Sequence, residues 1–288
     1  MSDKMKNFLV RTLSGIVMFA IVLGAILYSK WSFVALLTLI TIGGEWEFYR
    51  FAQKAGYAPQ RWIGLIMGVA LTLFAGAIIT FDLKWDNILL WGTGCLMPIM
   101  ILCTTVLFVS ELYRKSPSPI ANIGSTLMGI VYVAIPMALL HAIPIALGNG
   151  EWRPWTILFF IFIIWANDVF AYLFGVTMGK HRLFERISPK KSWEGFFGGL
   201  LGAMAMGYVA ATILEDNNIL WIGLALIAAI SGVFGDLVES LFKRTVDIKD
   251  SGNFIPGHGG FLDRFDALIF ATPIVFGYII LCKHFFEL

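Results

Sequence analysis

Charge is scarce in this sequence: Asp, Glu, Lys and Arg make up 14% of its 288 residues, where a soluble domain carries roughly 25%. So few charges cannot cover a water-facing surface, and no nucleic acid is expected among the partners. Cysteine is scarcer still. Cys95, Cys103 and Cys282 all lie inside apolar stretches, and an odd count with no CxxC spacing excludes a disulfide framework and a thiolate zinc site. They read as small core residues. Two nucleotide-binding loops are also missing, since neither a GxxxxGK(S/T) run nor a GxGxxG after a strand occurs; a P-loop and a dinucleotide fold are thereby excluded. Repeats and low-complexity linkers are absent too. The simplest organisation is one integral membrane domain, 1–288, in which 1–150 holds the first five spans and 151–288 the four that carry chemistry.

Apolar length is what the chain has in quantity. Hydrophobic residues make up 58% of it and the mean hydropathy is +0.80. Apolar stretches of about 18 or more residues recur from end to end, each long enough to cross a bilayer. Helices of this kind satisfy their own backbone in lipid, so the fold class is all-α, a polytopic membrane protein. Nine spans are expected, at about 12–28, 32–49, 63–81, 88–111, 122–147, 155–175, 195–214, 219–241 and 265–283. The N-terminal stretch has no small-residue cleavage site and a second span follows at once, so the first helix reads as retained rather than as a signal peptide.

Orientation follows from the basic residues. Seventeen of the 21 Lys and Arg fall on one side of this arrangement; Lys30, Lys84, Arg153 and Lys283 fall on the other. That bias places the N-terminus in the cytoplasm and, with an odd number of spans, the C-terminus outside. The two long loops, 176–194 and 242–264, are both cytoplasmic, so function is expected to face the cytoplasm. Trp31, Trp85, Trp152 and Trp155 suit interfacial anchors.

The densest chemistry runs from Gly235 to Asp266. Asp236, Glu239, Ser240 and Lys243 share one face of the eighth span, and acids at the end of an apolar helix need a partner, a cation or water. A glycine-rich loop follows, with Gly252 and then Gly257-His258-Gly259-Gly260. Glycines let the backbone approach a ligand closely and offer N–H groups to phosphate oxygens. Asp263, Arg264 and Asp266 then open the last span. Separated carboxylates, basic residues and a glycine-rich turn are what a magnesium–triphosphate complex requires. A solvated loop with helix caps and topogenic charge is the plainer account, and for Lys249 and Asp250 alone it is as good.

A second segment, Ile187-Ser188-Pro189-Lys190-Lys191-Ser192-Trp193-Glu194-Gly195, precedes the seventh span. Paired lysines before a helix start resemble a phosphate grip; alone they are equally topogenic charge. The third is Asn167-Asp168 inside the sixth span, where an ionisable group costs at least ~2.5 kcal/mol unless it faces the protein interior. Glu45 and Glu47 lie near the inner end of the second span with Arg50, and read as an interfacial pairing. Asn122, Ser125 and Thr126 read as helix caps. His141 and His284 read as structural and His181 falls in a basic run, which leaves His258 as the histidine near the chemistry.

These motifs carry a resemblance. Ser240-Leu-Phe-Lys-Arg, four residues, Lys249-Asp250-Ser-Gly, then Pro256-Gly-His-Gly-Gly-Phe-Leu-Asp-Arg-Phe-Asp266 spans 27 residues and resembles the signature of the phosphatidate cytidylyltransferases (CDP-diacylglycerol synthases). The Ser-Pro-Lys-Lys-Ser-Trp-Glu-Gly segment and Asn-Asp-x-x-Ala-Tyr match in the family's order. Ser192 stands where threonine is more usual and keeps the hydroxyl. At motif level the resemblance covers about 155–283; the N-terminal half matches mainly in hydropathy.

The resemblance implies a reaction of CTP with phosphatidate, giving CDP-diacylglycerol and pyrophosphate with Mg2+, and leaves a second cation open. It implies Asp236 and Asp263 as metal ligands, with Glu239 and Asp266 as ligands or their neighbours. Lys190, Lys191, Lys243, Arg244 and Arg264 would neutralise phosphate. Asp168, Ser188, Ser192, Ser240, Lys249, His258, Gly259 and Gly260 would line the substrates. Loss of Asp263 is expected to cost orders of magnitude in rate with the fold kept. Membrane lipids are partners, a homodimer is an open alternative to a monomer, and a compact chain of this kind points to a bacterial inner membrane. A transporter would spread acids through several spans, and a CDP-alcohol phosphotransferase would carry a Gly-x-x-x-Asp-x-x-x-Asp run, which is absent. A non-catalytic lipid-binding scaffold would have no use for the 240–266 loop.

Overall fold

The computed structural model describes residues 3–83, 85–248, 250–252 and 259–285. The elements in chain order begin with α1 (Asp3–Tyr28), α2 (Lys30–Lys54), α3 (Arg61–Thr80), α4 (Trp85–Trp91) and α5 (Met97–Arg114). Next come α6 (Pro119–Gly129), α7 (Ile135–Leu140), α8 (Ile143–Ala146) and α9 (Pro154–Met178). A hairpin of β1 (Arg182–Phe184) and β2 (Ser188–Ser192) leads to α10 (Trp193–Leu214), α11 (Asn218–Thr245) and α12 (Leu262–Phe285). Single π-helical turns at Gly92–Leu96 and Ile130–Ala134 join α4 to α5 and α6 to α7.

Among the described residues seven helical stretches are long and apolar enough to cross a membrane: Arg61–Thr80, Asn87–Arg114, Pro119–Ala146, Pro154–Met178, Trp193–Leu214, Asn218–Thr245 and Leu262–Phe285. The architecture is therefore an all-α polytopic membrane protein. Of the nine expected spans, the first corresponds to a shorter apolar helix, Thr12–Tyr28. The second lies in α2, whose apolar run is interrupted by Glu45 and Glu47. Large apolar side chains such as Leu102, Leu112 and Ile120 are 64%, 78% and 85% exposed, as suits a surface solvated by lipid tails. Among the described residues one antiparallel hairpin forms, and it falls where Pro189 and two lysines deprive a helix of an apolar face.

Packing divides the chain into two compact units, Met1–His141 with Thr245–Arg264, and Ala142–Arg244 with Phe265–Leu288. The division does not follow chain order, because the glycine-rich loop belongs with the N-terminal helices. In the first unit α2 is central, with Phe33, Leu37, Ile40 and Tyr49 buried. The Tyr49 hydroxyl donates to the Thr126 carbonyl at 3.0 Å, and the Thr41 and Thr72 hydroxyls meet at 3.1 Å. Buried Glu111 accepts from Gln60 and Asn122, each at 2.7 Å, and pairs with Arg114. Asn122 and Thr126 also accept from the backbone of Ala58 and Gln60, at 2.7 and 2.8 Å. These bonds replace the water that loop amides would otherwise need. In the second unit α9 packs closely on α10: a Cβ at Gly198 or Gly202 would lie 2.3–2.4 Å from the rings of Phe174 and Phe170. Small residues let helices approach in lipid, where dispersion rather than water exclusion holds them.

Candidate metal and phosphate site

In the second unit the hairpin and the start of α10 form one piece. Ser192 is the N-cap of α10, and its hydroxyl accepts from the Gly195 amide at 3.1 Å. The Trp193 amide donates to the His181 carbonyl at 2.9 Å, and His181 Nδ1 lies 2.6 Å from Glu194 Oε1. These contacts tie both ends of the hairpin to the helix and fix β2, which carries Lys190 and Lys191. Both lysines line a cavity of about 540 Å³ together with Arg182, Ser192, Asp168 and Asp236. On α9, Asn167 is 2% exposed, and it lines the cavity together with its neighbour Asp168.

One wall of this cavity leads into a carboxylate cluster. Asp236 and Glu239 stand one turn apart on α11 and Asp266 lies on α12; a ligand atom from each falls within 4.8 Å of the others. Close approach of the two helices makes this possible, since a Cβ at Gly235 would meet the Asp266 carbonyl oxygen at 2.6 Å. Glu239 is fully buried and Asp266 is 9% exposed. Lys191 Nζ reaches Asp236 Oδ2 at 2.5 Å, and Lys243 pairs with Glu239 one turn along the helix. Three carboxylates so close repel one another unless protons or cations intervene. The donor set is oxygen alone, without Cys or His. It therefore fits a hard cation such as Mg2+ and fits zinc poorly.

The first unit holds Asp263 and the described part of the glycine-rich loop. Asp263 Oδ2 accepts from the Ser251 and Gly260 amides, each at 2.8 Å, and lies 2.8 Å from the Ser251 hydroxyl oxygen. Gly259 has a φ of +83°, a conformation that glycine adopts at little cost. A residue passed over as an interfacial acid also enters here: buried Glu47 accepts from the Phe261 and Leu262 amides and from the Ser251 hydroxyl. Its one signal in the sequence was an acid in an apolar helix. No spacing rule connects it to a loop 204 residues away.

Of the other expected residues, Ser188 opens β2 and Ser240 is half-buried on α11. Arg244 and Arg264 are exposed at helix ends. Lys249 and His258 lie outside the described residues. The structure thus brings Asp168, Lys190, Lys191, Ser192 and Asp236 to one cavity and joins Asp236 to Glu239 and Asp266. Asp263 is engaged in the loop.

Residues 9–282 match the sequence profile of the cytidylyltransferase family, so the likeness extends well into the N-terminal half. The chain is 38% identical over 194 residues to the phosphatidate cytidylyltransferase of Staphylococcus saprophyticus, an alignment covering 67% of this chain and 70% of the relative. It is 36% identical over 196 residues to that of Rickettsia bellii, covering 65% and 81%. The Staphylococcus aureus protein of the same name is 36% identical over 193 residues, covering 66% and 70%. With a match across nearly its whole length, the chain belongs to the cytidylyltransferase family.

Proposed function

We propose that this chain transfers the cytidylyl group of CTP to phosphatidate, forming CDP-diacylglycerol and pyrophosphate in phospholipid biosynthesis. The observation that carries this reading is the cavity where Asp168, Lys190, Lys191 and Asp236 meet beside Glu239 and Asp266. It sets lysines suited to phosphate beside carboxylates suited to a hard cation, in a unit of apolar helices, and the names of the relatives support the substrates.

A phosphate oxygen of phosphatidate attacks the α-phosphorus of CTP in line. The new P–O bond forms as the bond to the β-phosphate oxygen breaks, and pyrophosphate carries off the electron pair. No side-chain nucleophile is needed, because the lipid phosphate is already anionic. Lys190, Lys191 and Arg182 hold phosphate oxygens at the cavity, and Lys243 orients Glu239. Asp236, Glu239 and Asp266 would hold Mg2+, which when bound neutralises phosphate charge and lowers the barrier electrostatically. Asp263 holds the glycine-rich loop through Ser251 and Gly260. Alignment of the two anionic substrates supplies much of the remaining rate.

The topology proposed is nine spans with the N-terminus and the site facing the cytoplasm of a bacterial inner membrane; the distribution of basic residues supports it. Pyrophosphate release by the detergent-purified protein tests the activity. Release should require CTP, phosphatidate and Mg2+ together and should be lost in Asp236→Ala. No release by folded wild-type protein over a range of lipids and nucleotides would end this reading.

A further inference from the structure

We propose that Glu47, on α2, is a positioning residue for the transfer reaction, fixing the glycine-rich loop and the start of α12 through three hydrogen bonds. The inference rests on the reading given under Proposed function. Glu47 is 4% exposed. Its Oε1 accepts from the Phe261 amide at 3.0 Å; its Oε2 accepts from the Leu262 amide at 2.9 Å and the Ser251 hydroxyl at 2.8 Å. The first amides of a helix have no partner within it. Here they are satisfied by a carboxylate from a helix more than 200 residues earlier, and its charge also suits the positive end of the helix dipole.

The loop is shaped around that carboxylate. A Cβ at Gly252 or at Gly260 would stand 2.3 Å from Glu47 Oε1, so any side chain at either position displaces it. Ser251 carries the constraint onward. Its hydroxyl lies 2.8 Å from both Glu47 Oε2 and Asp263 Oδ2, and Asp263 in turn accepts from the Gly260 amide. Glu47, Ser251, Asp263 and Gly260 thus form one connected network. Asp266, in the carboxylate cluster, follows on α12 about one turn after the amides that Glu47 binds. Burying a carboxylate costs several kcal/mol, more than an ordinary serine cap requires, and the helix whose start this network holds continues directly into Asp266.

Two measurements on the purified full-length protein test this. In hydrogen–deuterium exchange, Glu47→Gln should speed exchange of peptides covering 250–264 while leaving those of α9 and α10 unchanged. A glutamine has one acceptor where two amides and a hydroxyl need serving. Unchanged loop exchange overturns the inference whether or not the protein turns over the proposed substrates. In the pyrophosphate assay, well below the melting temperature, Glu47→Gln should lower kcat by about 10–100-fold, the scale of a small misplacement. KM for CTP should move less than about threefold, because the phosphate-binding lysines remain. Wild-type kcat beside faster loop exchange would reduce Glu47 to a stabilising role and also overturn the inference. Gly252→Ala, which keeps the carboxylate but crowds it, should reproduce both effects and covers the case in which Glu47→Gln fails to fold.

Discussion

Asp266 is 9% exposed and offers a carboxylate oxygen within 4.8 Å of those of Asp236 and Glu239, so the proposed cation can be tested there without any turnover. Mg2+ that binds the folded state alone raises stability by about 2.7 kcal/mol at a hundredfold excess over Kd. Wild-type protein should therefore melt at a higher temperature in Mg2+. Asp266→Asn should lose that rise, while melting no lower than wild type in chelator, because it removes a buried repulsion. Its activity should fall at least about a hundredfold. A preserved Mg2+-induced rise in Asp266→Asn would assign the cation to other residues. Lys191 gives a different outcome. Its pair with Asp236 is partly exposed, with side chains 25% and 43% accessible, and such pairs contribute under about 1 kcal/mol. Lys191→Met should leave thermal stability nearly unchanged yet raise KM for a phosphate-bearing substrate by about tenfold.

At the scale of elements, the hairpin and α10 turn a charged sequence into a cavity wall, and Ser192 is the hinge pin between them. Removing an N-cap hydroxyl costs about 1 kcal/mol, so Ser192→Ala should lower the melting temperature and Ser192→Thr should restore it. The α9–α10 contact is less forgiving. Gly202→Leu would drive a side chain into Phe170, which a Cβ alone would approach at 2.4 Å. That variant should lose both thermal stability and activity, since overpacking of this kind costs about 1–3 kcal/mol or more. The 3.6-residue spacing of Asp236, Glu239 and Ser240 made the acidic face of α11 legible from sequence. The hairpin was not legible, because a proline among four polar or basic residues before a helix gives no strand period to read.

At the scale of the molecule, the number of spans is the open quantity with a clean experiment. Basic-residue bias fixes orientation through the alternation of sides, but a consecutive pair of spans can be removed without disturbing that alternation. The Thr12–Tyr28 helix and α2 form such a pair. Charge counting therefore cannot separate nine spans from seven. In a variant lacking Cys95, Cys103 and Cys282, a membrane-impermeant maleimide applied to intact cells should label Glu151→Cys and spare Gln53→Cys. Labelling of Tyr28→Cys, whose position is 87% exposed, is expected for nine spans. Its absence, with Glu151→Cys labelled, would leave the first two helices on the cytoplasmic side.

The amino-acid sequence established that this is a helical membrane protein, because apolar length and scarce charge act locally and leave a record in every window. It also determined the segments that bear chemistry, since acids, paired lysines and clustered glycines are costly in lipid and stand out wherever they fall. The packed structure set how those segments combine. It placed Asp266 beside Asp236 and Glu239, and paired Lys191 of β2 with the α11 acid. It also gave Glu47 the glycine-rich loop as its partner. Those pairings join residues tens to hundreds of positions apart. Charge and hydrogen bonding act through space over a few ångströms, a distance on which position along the chain has no bearing until the helices are packed.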